Sequence, residues 1–255
     1  MTGFIARIFR HPIKSIGAED LDEVTLSTGQ SLPGDREWAV LNDRAKLTRQ
    51  ADGRASAWAP KANFLTGRAG PSLMAVTAST QADGRLRLQH PDLWQIDIDP
   101  DAPADQAKLI AWLKPIWPAD APAPAAIVRA PGQAFTDQPA AYVSLIGSAS
   151  LDDLSAHAGA RLSPRRFRAN LWVEGWAPFA EFDLVGRHLR VGGATLAVVK
   201  RVGRCRATDA NPETGARDID MLKLLETRYG HTDLGVFCTV VESGPLARGD
   251  RVEVL

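Results

Sequence analysis

One thiol of the 255-residue chain lies in a run of cations. The segment Lys200-Arg201-Val202-Gly203-Arg204-Cys205-Arg206 places four cations around Cys205 within seven residues, with no acid between them. Positive charge nearby stabilises a thiolate, the form of cysteine that ligates metals and attacks electrophiles. The apolar residues Leu196-Ala197-Val198-Val199 lead into the segment, which puts Cys205 near the end of a strand. A solvated basic strand end carrying an inert thiol has the same composition, so charge alone leaves both readings open.

A second cluster, Arg161-Leu162-Ser163-Pro164-Arg165-Arg166-Phe167-Arg168-Ala169-Asn170, holds four arginines in eight residues and again no acid. Guanidinium forks match phosphate oxygens two at a time, and Asn170 adds a donor and an acceptor. Exposed charge runs of this kind are also common as plain solvated loops. A third set is dispersed: His11-Pro12-Ile13-Lys14-Ser15, Gly34-Asp35-Arg36 and Thr48-Arg49. Each puts a cation or hydroxyl in a turn beside a strand. Together they offer Lys14, Ser15, Arg36 and Arg49 as further anion ligands.

Other chemistries lack their residues. Lys plus Arg and Asp plus Glu number 30 each, so the formal net charge is zero, and a basic surface for nucleic acid is not expected. Cys205 and Cys238 fall short of the about four thiolates that an iron–sulfur cluster takes. There is no phosphate-binding glycine loop of either common spacing, no G-x-S-x-G elbow, and no paired histidines at zinc-ligand spacing. Cys238, within Val236-Phe237-Cys238-Thr239-Val240, reads as a small core hydrophobe. No apolar run approaches the about 18 residues of a membrane span, and the first residues do not read as a secretory leader. A cytoplasmic protein without a membrane partner is therefore expected.

The elements that must position these residues are mostly strands. Apolar segments around Ile5–Phe9, Val24–Leu26 and Trp38–Leu41 are each closed by a turn, and Leu73–Thr77 is expected to pair with Leu86–Leu88 around Asp83-Gly84. A helix is expected over 105–114, followed by a Pro/Ala-rich stretch that suggests a division near residue 125. In the second half, Ser150 with Asp153 resembles a capping box for a helix ending at Gly159. A second helix, with Ile219, Leu222, Leu225 and Tyr229 at helical spacing, is expected to start at Asp218. Residues 189–191 and 194–202 read as a hairpin across Gly192-Gly193, with further strands over 235–241 and 251–255. The expected class is mainly β with a few helices.

In order, HPIKSI, LPGDREWAVLN, RRFRANLWVEG, FDLVGRHLRVG, RCRATDANPETGARD and GHTDLGVFCTVVESGPLARGDRV resemble the MOSC family of molybdenum-cofactor sulfurase C-terminal domains. The front half resembles its companion N-terminal β-barrel domain. Within that family the resemblance extends to the mitochondrial amidoxime-reducing component and the bacterial N-hydroxylaminopurine-resistance proteins. The resemblance implies a β-barrel-like MOSC domain over 126–255, preceded by a smaller β-barrel-like domain over 1–125. The cofactor is then expected at the interface between them. It implies bound molybdenum cofactor, with Cys205 as the catalytic thiolate that ligates the metal. Lys14 and Ser15 match the family's Lys-Ser pair, Arg36 its G-D-R-like element, and Arg168 and Asn170 its R-x-N. Arg49, Arg166 and Arg204 complete the expected cofactor-binding set.

The activity implied is reduction of N-hydroxylated small molecules. Electrons would come from a separate donor protein of ferredoxin or cytochrome b5 type with its reductase. A cofactor carrier or sulfur-relay protein without turnover is the alternative. The chain departs from the amidoxime-reducing relatives at three places. Gly203 stands two residues before the Cys where they have Ser, Arg206-Ala207-Thr208 follows it where they have a Thr pair, and Ile146-Gly147-Ser148 replaces their Leu-Ser-Glu.

Overall fold

A computed structural model describes residues 1–255. The first half contributes β1 (Thr2–Arg10), β2 (Glu19–Leu21), β3 (Glu23–Leu26), β4 (Trp38–Asn42), β5 (Thr77–Thr80), β6 (Leu86–His90), β7 (Leu93–Ile98), α1 (Pro103–Leu113) and β8 (Pro124–Arg129). The second contributes β9 (Val143–Gly147), α2 (Ser148–Ala158), β10 (Leu171–Glu174), β11 (His188–Val191), β12 (Ala194–Gly203), α3 (Met221–Tyr229), β13 (Asp233–Glu242), β14 (Gly244–Ala247) and β15 (Arg251–Val254).

A closed barrel organises the second half. Its strands run in the order β10-β9-β13-β12-β11-β15-β1, and β1 pairs back onto β10 to seal the ring. Closure leaves no free edge among the seven. The chain's first strand thus completes the barrel of its second half. Alternation explains why both faces of several strands are apolar. Leu145, Leu171 and Val173 point into the barrel core, while Ile146 and Trp172 point outward against Leu154, Met221 and Leu225 of α2 and α3. Ile5 and Ile8 both face inward although three residues apart, because a register shift between Ile5 and Arg7 resets the alternation.

In the first half β4 pairs with β8, and β5-β6-β7 form a three-stranded meander. Their apolar faces meet α1 through Leu109, Trp112 and Leu113. Residue 125, where the sequence suggests a division, lies inside β8 and is therefore part of the sheet with β4.

The helix over 105–114 forms at Pro103–Leu113, and Gly159 and Gly230 end α2 and α3 with φ of 66° and 71°. The hairpin across Gly192-Gly193 forms as expected. Three local expectations are corrected. Residues 71–75 make a 3₁₀ turn, since Pro71 presets its first position, and the strand begins only at Thr77. Ser150 is no N-cap: Gly147 holds that position, and the Ser150 hydroxyl donates instead to the buried carboxyl of Glu181, at 2.8 and 2.9 Å. The second helix starts three residues later than expected, capped by Asp220, whose carboxylate accepts from the Lys223 amide at 3.0 Å. No helix is long and apolar enough to cross a membrane.

Candidate cofactor cleft around Cys205

The loops after β1, before β4, after β8 and before β10 converge with the end of β12 around a cavity of about 350 Å³. Eight of the nine residues singled out from sequence line it: Lys14, Ser15, Arg36, Arg166, Arg168, Asn170, Arg204 and Cys205. Arg49 is not brought there and lies exposed in the 43–56 loop. In a chain of zero net charge, seven lining residues are cations (Lys14, Arg36, Arg166, Arg168, Lys200, Arg201, Arg204) and one, Asp137, is an acid. Such a cleft concentrates positive potential.

Backbone strain gathers in the same place. Four non-glycine residues of the chain have positive φ, and three of them, Ser15 at 63°, Arg36 at 51° and Arg168 at 50°, line the cleft. A left-handed conformation without glycine is costly and persists where the surroundings enforce it, which is characteristic of ligand sites.

The cations differ in how far they are neutralised. Arg166 is paired through both terminal guanidinium nitrogens with Asp218, at 2.8 and 2.9 Å, so its charge is largely matched within the fold. Lys14, only 4% exposed, donates to Asp137 at 2.6 Å and to the Phe135 carbonyl at 2.9 Å. Burial pushes its pKa down against the pull of Asp137, with Arg36 and Arg168 adding to the depression. Arg36 is anchored by the Asp35 carboxylate and donates to the Arg168 carbonyl at 3.0 Å. Arg168 and Arg204 are the cleft's half-buried arginines that make no ion pair. Arg168 donates to the carbonyls of Gly17 at 3.0 Å and Ile13 at 3.2 Å. Burial first, then the neighbouring Arg36, lowers its pKa to about 9. Arg204 donates to the carbonyls of Phe167 at 2.9 Å and Leu234 at 2.9 Å, and burial lowers its pKa to about 10. Buried like charges without acids are unfavourable unless an anion completes them.

Asn170 is tied into the scaffold. Its Oδ1 accepts from the Ser144 amide at 3.1 Å and hydroxyl at 2.9 Å, and its Nδ2 donates to the Phe9 carbonyl at 3.2 Å, which leaves one amide hydrogen toward the cleft. Cys205 is free and half-buried. Its carbonyl accepts from Thr208, at 3.0 Å from the amide and 2.8 Å from the hydroxyl, which fixes the turn after β12 while the thiol takes no part. Sequence reasoning missed Asp137. Its only signal is the fold itself, because β8 carries the following loop to Lys14, 123 positions away.

Behind the cleft, Asp35 is the hinge of a buried triad with His11 and Arg36. It accepts from the His11 amide at 2.8 Å, lies 3.2 Å from His11 Nδ1, and pairs with Arg36. Burial, then the charge of Arg168, lowers the His11 pKa to about 3, with Arg36 adding and Asp35 opposing. The unfolded chain therefore takes up this proton first on acidification, and stability falls as pH drops from about 6.5 toward 3. Between pH 7 and pH 5 this one site is expected to remove about 2 kcal/mol. Urea unfolding at several pH values checks it: the slope with pH should flatten in His11→Gln, and an unchanged slope would remove His11 as the cause.

Residues 132–253 match the family model for the MOSC domain, and residues 2–116 match that for the MOSC N-terminal beta barrel domain. The chain belongs to the MOSC family, in the form that joins these two domains. It is 26% identical to mitochondrial amidoxime-reducing component 1 of Danio rerio, over 98% of this chain and 84% of that protein. A 74-residue stretch, 29% of this chain, is 35% identical to molybdenum cofactor sulfurase of Danio rerio and covers 9% of that protein. Among solved structures, the YuaD protein from Bacillus subtilis aligns over 100% of this chain and 96% of that chain, at 14% identity and a TM-score of 0.47.

The cleft suits the cofactor that these names point to. A phosphate-bearing pterin is anionic, and the half-buried Arg168 and Arg204 lack an acid. A soft thiolate suits a redox metal. No three His, Cys, Asp or Glu side chains gather to bind a metal by themselves, so a metal at Cys205 would draw its other ligands from a cofactor.

Proposed function

We propose that this protein is a molybdenum-cofactor-dependent oxidoreductase that reduces N-hydroxylated small molecules. The observation that carries the reading is the single thiol of Cys205 in a cleft of seven cations and one acid. When bound, the cofactor supplies two-electron redox chemistry at a metal, which suits removal of oxygen from an N–O bond. The reaction balances as R–NHOH + 2 e⁻ + 2 H⁺ → R–NH₂ + H₂O. The protein's part is to bind and orient. The Cys205 thiolate holds the metal. Arg168, Arg204 and Arg36 hold the anionic end of the pterin, with Ser15, Lys14 and Asn170 offering further donors. Arg166 acts through Asp218, fixing the loop that presents Arg168. Lys14 and Asp137, paired at 2.6 Å, also stand as a proton-holding pair in the cleft that Cys205 lines. The electrons come from a separate donor protein of ferredoxin or cytochrome b5 type. The reaction belongs in the cytoplasm, where free thiols persist.

Turnover tests the reading. Cofactor-loaded protein, given an amidoxime and a viologen donor, is expected to form the amidine with one molecule of water per two electrons. The sulfurase stretch favours a second reading, a cofactor carrier. That reading requires transfer of cofactor to an acceptor apoenzyme with no amidine formed, and such a result would displace the reductase.

A further inference from the structure

A second cavity of about 370 Å³ adjoins the cleft and shares Ser15, Asp137, Cys205 and Ala207 with it. These four residues form a threshold, so that whatever is bound at the Cys205 sulfur faces both spaces. The two spaces differ in chemistry. The cleft carries seven cations and one acid. The second cavity has an apolar wall of Phe64, Trp117 and Pro122, with Lys61 and Arg68 as its cations. The Trp117 indole is fixed by its N–H, which donates to the Pro122 carbonyl at 3.1 Å. The Phe64 ring is held by Phe135, with centroids 4.7 Å apart. Lys61 is 3.7 Å from Asp137, whereas the exposed Arg68 side chain has no acid within ion-pair distance. Its backbone carbonyl accepts from Arg217 at 2.6 Å, which ties this loop to the segment following Cys205.

We propose that this second cavity is the substrate pocket, and that it selects a flat aromatic N-hydroxylated compound carrying an anionic group at the far end from the N–O bond. This rests on the reductase reading. Rigid aromatic and proline walls take a planar apolar body. Asp137 at the threshold is already paired with Lys14 and Lys61, and the cleft's other cations hold the anionic end of the cofactor, so the threshold admits a neutral hydroxylamino end and offers a carboxylate no free cation. Burial alone would raise the Asp137 pKa, but Lys14 outweighs it and holds the group ionised. An anionic tail is therefore turned outward, to the unpaired Arg68.

Two probes test this: an aryl amidoxime with a carboxylate para to the amidoxime, and the same molecule without it. Each is titrated calorimetrically into cofactor-loaded protein with no electron donor, so that binding is read apart from turnover. Arg68→Glu should weaken the carboxylated probe about fivefold and leave the neutral probe within about twofold. Ala69→Trp, which fills the cavity from an exposed lining position, should weaken both, with cofactor content unchanged in either variant. The proposal is overturned if neither probe binds the parent protein, if Ala69→Trp binds both as before, or if Arg68→Glu affects the two probes equally. Binding as expected without amidine formation would sink the reductase reading and leave the pocket standing.

Discussion

Cys205→Ala is expected to reduce amidoxime turnover to the background of the electron donor alone, while unfolding free energy changes by less than about 0.5 kcal/mol. The thiol makes no hydrogen bond, and only the backbone carbonyl is used by Thr208, so alanine disturbs nothing in the turn. The account separates two contents of the purified variant. Molybdenum should fall, because its protein ligand is gone. Pterin should be retained in part, because the guanidinium groups that hold its anionic end are untouched. Cys238 is the matched control. It is fully buried within β13, and burial pushes its thiol up to about 12, so it offers no thiolate in exchange. Cys238→Ala should keep its molybdenum and its turnover and lose about 1 kcal/mol of stability through lost packing. Full activity in Cys205→Ala would remove the metal from this thiol.

Arg168→Gln is expected to act in opposite directions on the two forms of the protein. Cofactor binding should weaken by about 3 kcal/mol, roughly a hundredfold, since a buried charge that meets an anion is lost. The cofactor-free protein should be no less stable, and its melting temperature should stay or rise. The reason is in the geometry. Arg168 is half-buried, faces Arg36 and has only the Gly17 and Ile13 carbonyls as side-chain partners, so its charge is carried at a cost. Glutamine can still donate to one of those carbonyls. A structural arginine would give the reverse pattern, with loss of stability in the cofactor-free form. Thermal melts of both forms, with equilibrium dialysis of the pterin, distinguish the two.

Legibility of the sequence varied with how local each signal was. The Gly192-Gly193 hairpin and the glycine ends of α2 and α3 were readable because their causes lie within a few residues. The short strands β8, β9 and β10 were not, since each spans only four to six residues without clean alternation and both faces of β9 are buried. Leu73–Ala75 has the composition of a strand, but Pro71 sets a 3₁₀ turn. Barrel closure by β1 was likewise illegible, because its partners β10 and β15 lie more than 160 residues away.

The site followed the same rule. Both arginine clusters look unopposed in sequence, yet Glu213 and Asp218 arrive from a distant segment to pair with Arg165 and Arg166. Only the fold reveals that Arg168 and Arg204 are left without an acid. Lys14, Arg36, Arg168 and Cys205, spread over almost 200 residues, line one cleft, and what groups them in the sequence is motifs that resemble a family rather than any local signal. Asp137, Arg68 and Trp117 carry no such motif.

The central claim is that this cleft holds molybdenum cofactor at Cys205. Its most direct test is the molybdenum and pterin content of the protein purified from a host that makes the cofactor, by elemental analysis and by fluorescence of the oxidised pterin. The account predicts close to one molybdenum and one pterin per chain. Folded protein carrying neither would contradict it and leave the seven cations of the cleft without the anion that explains them.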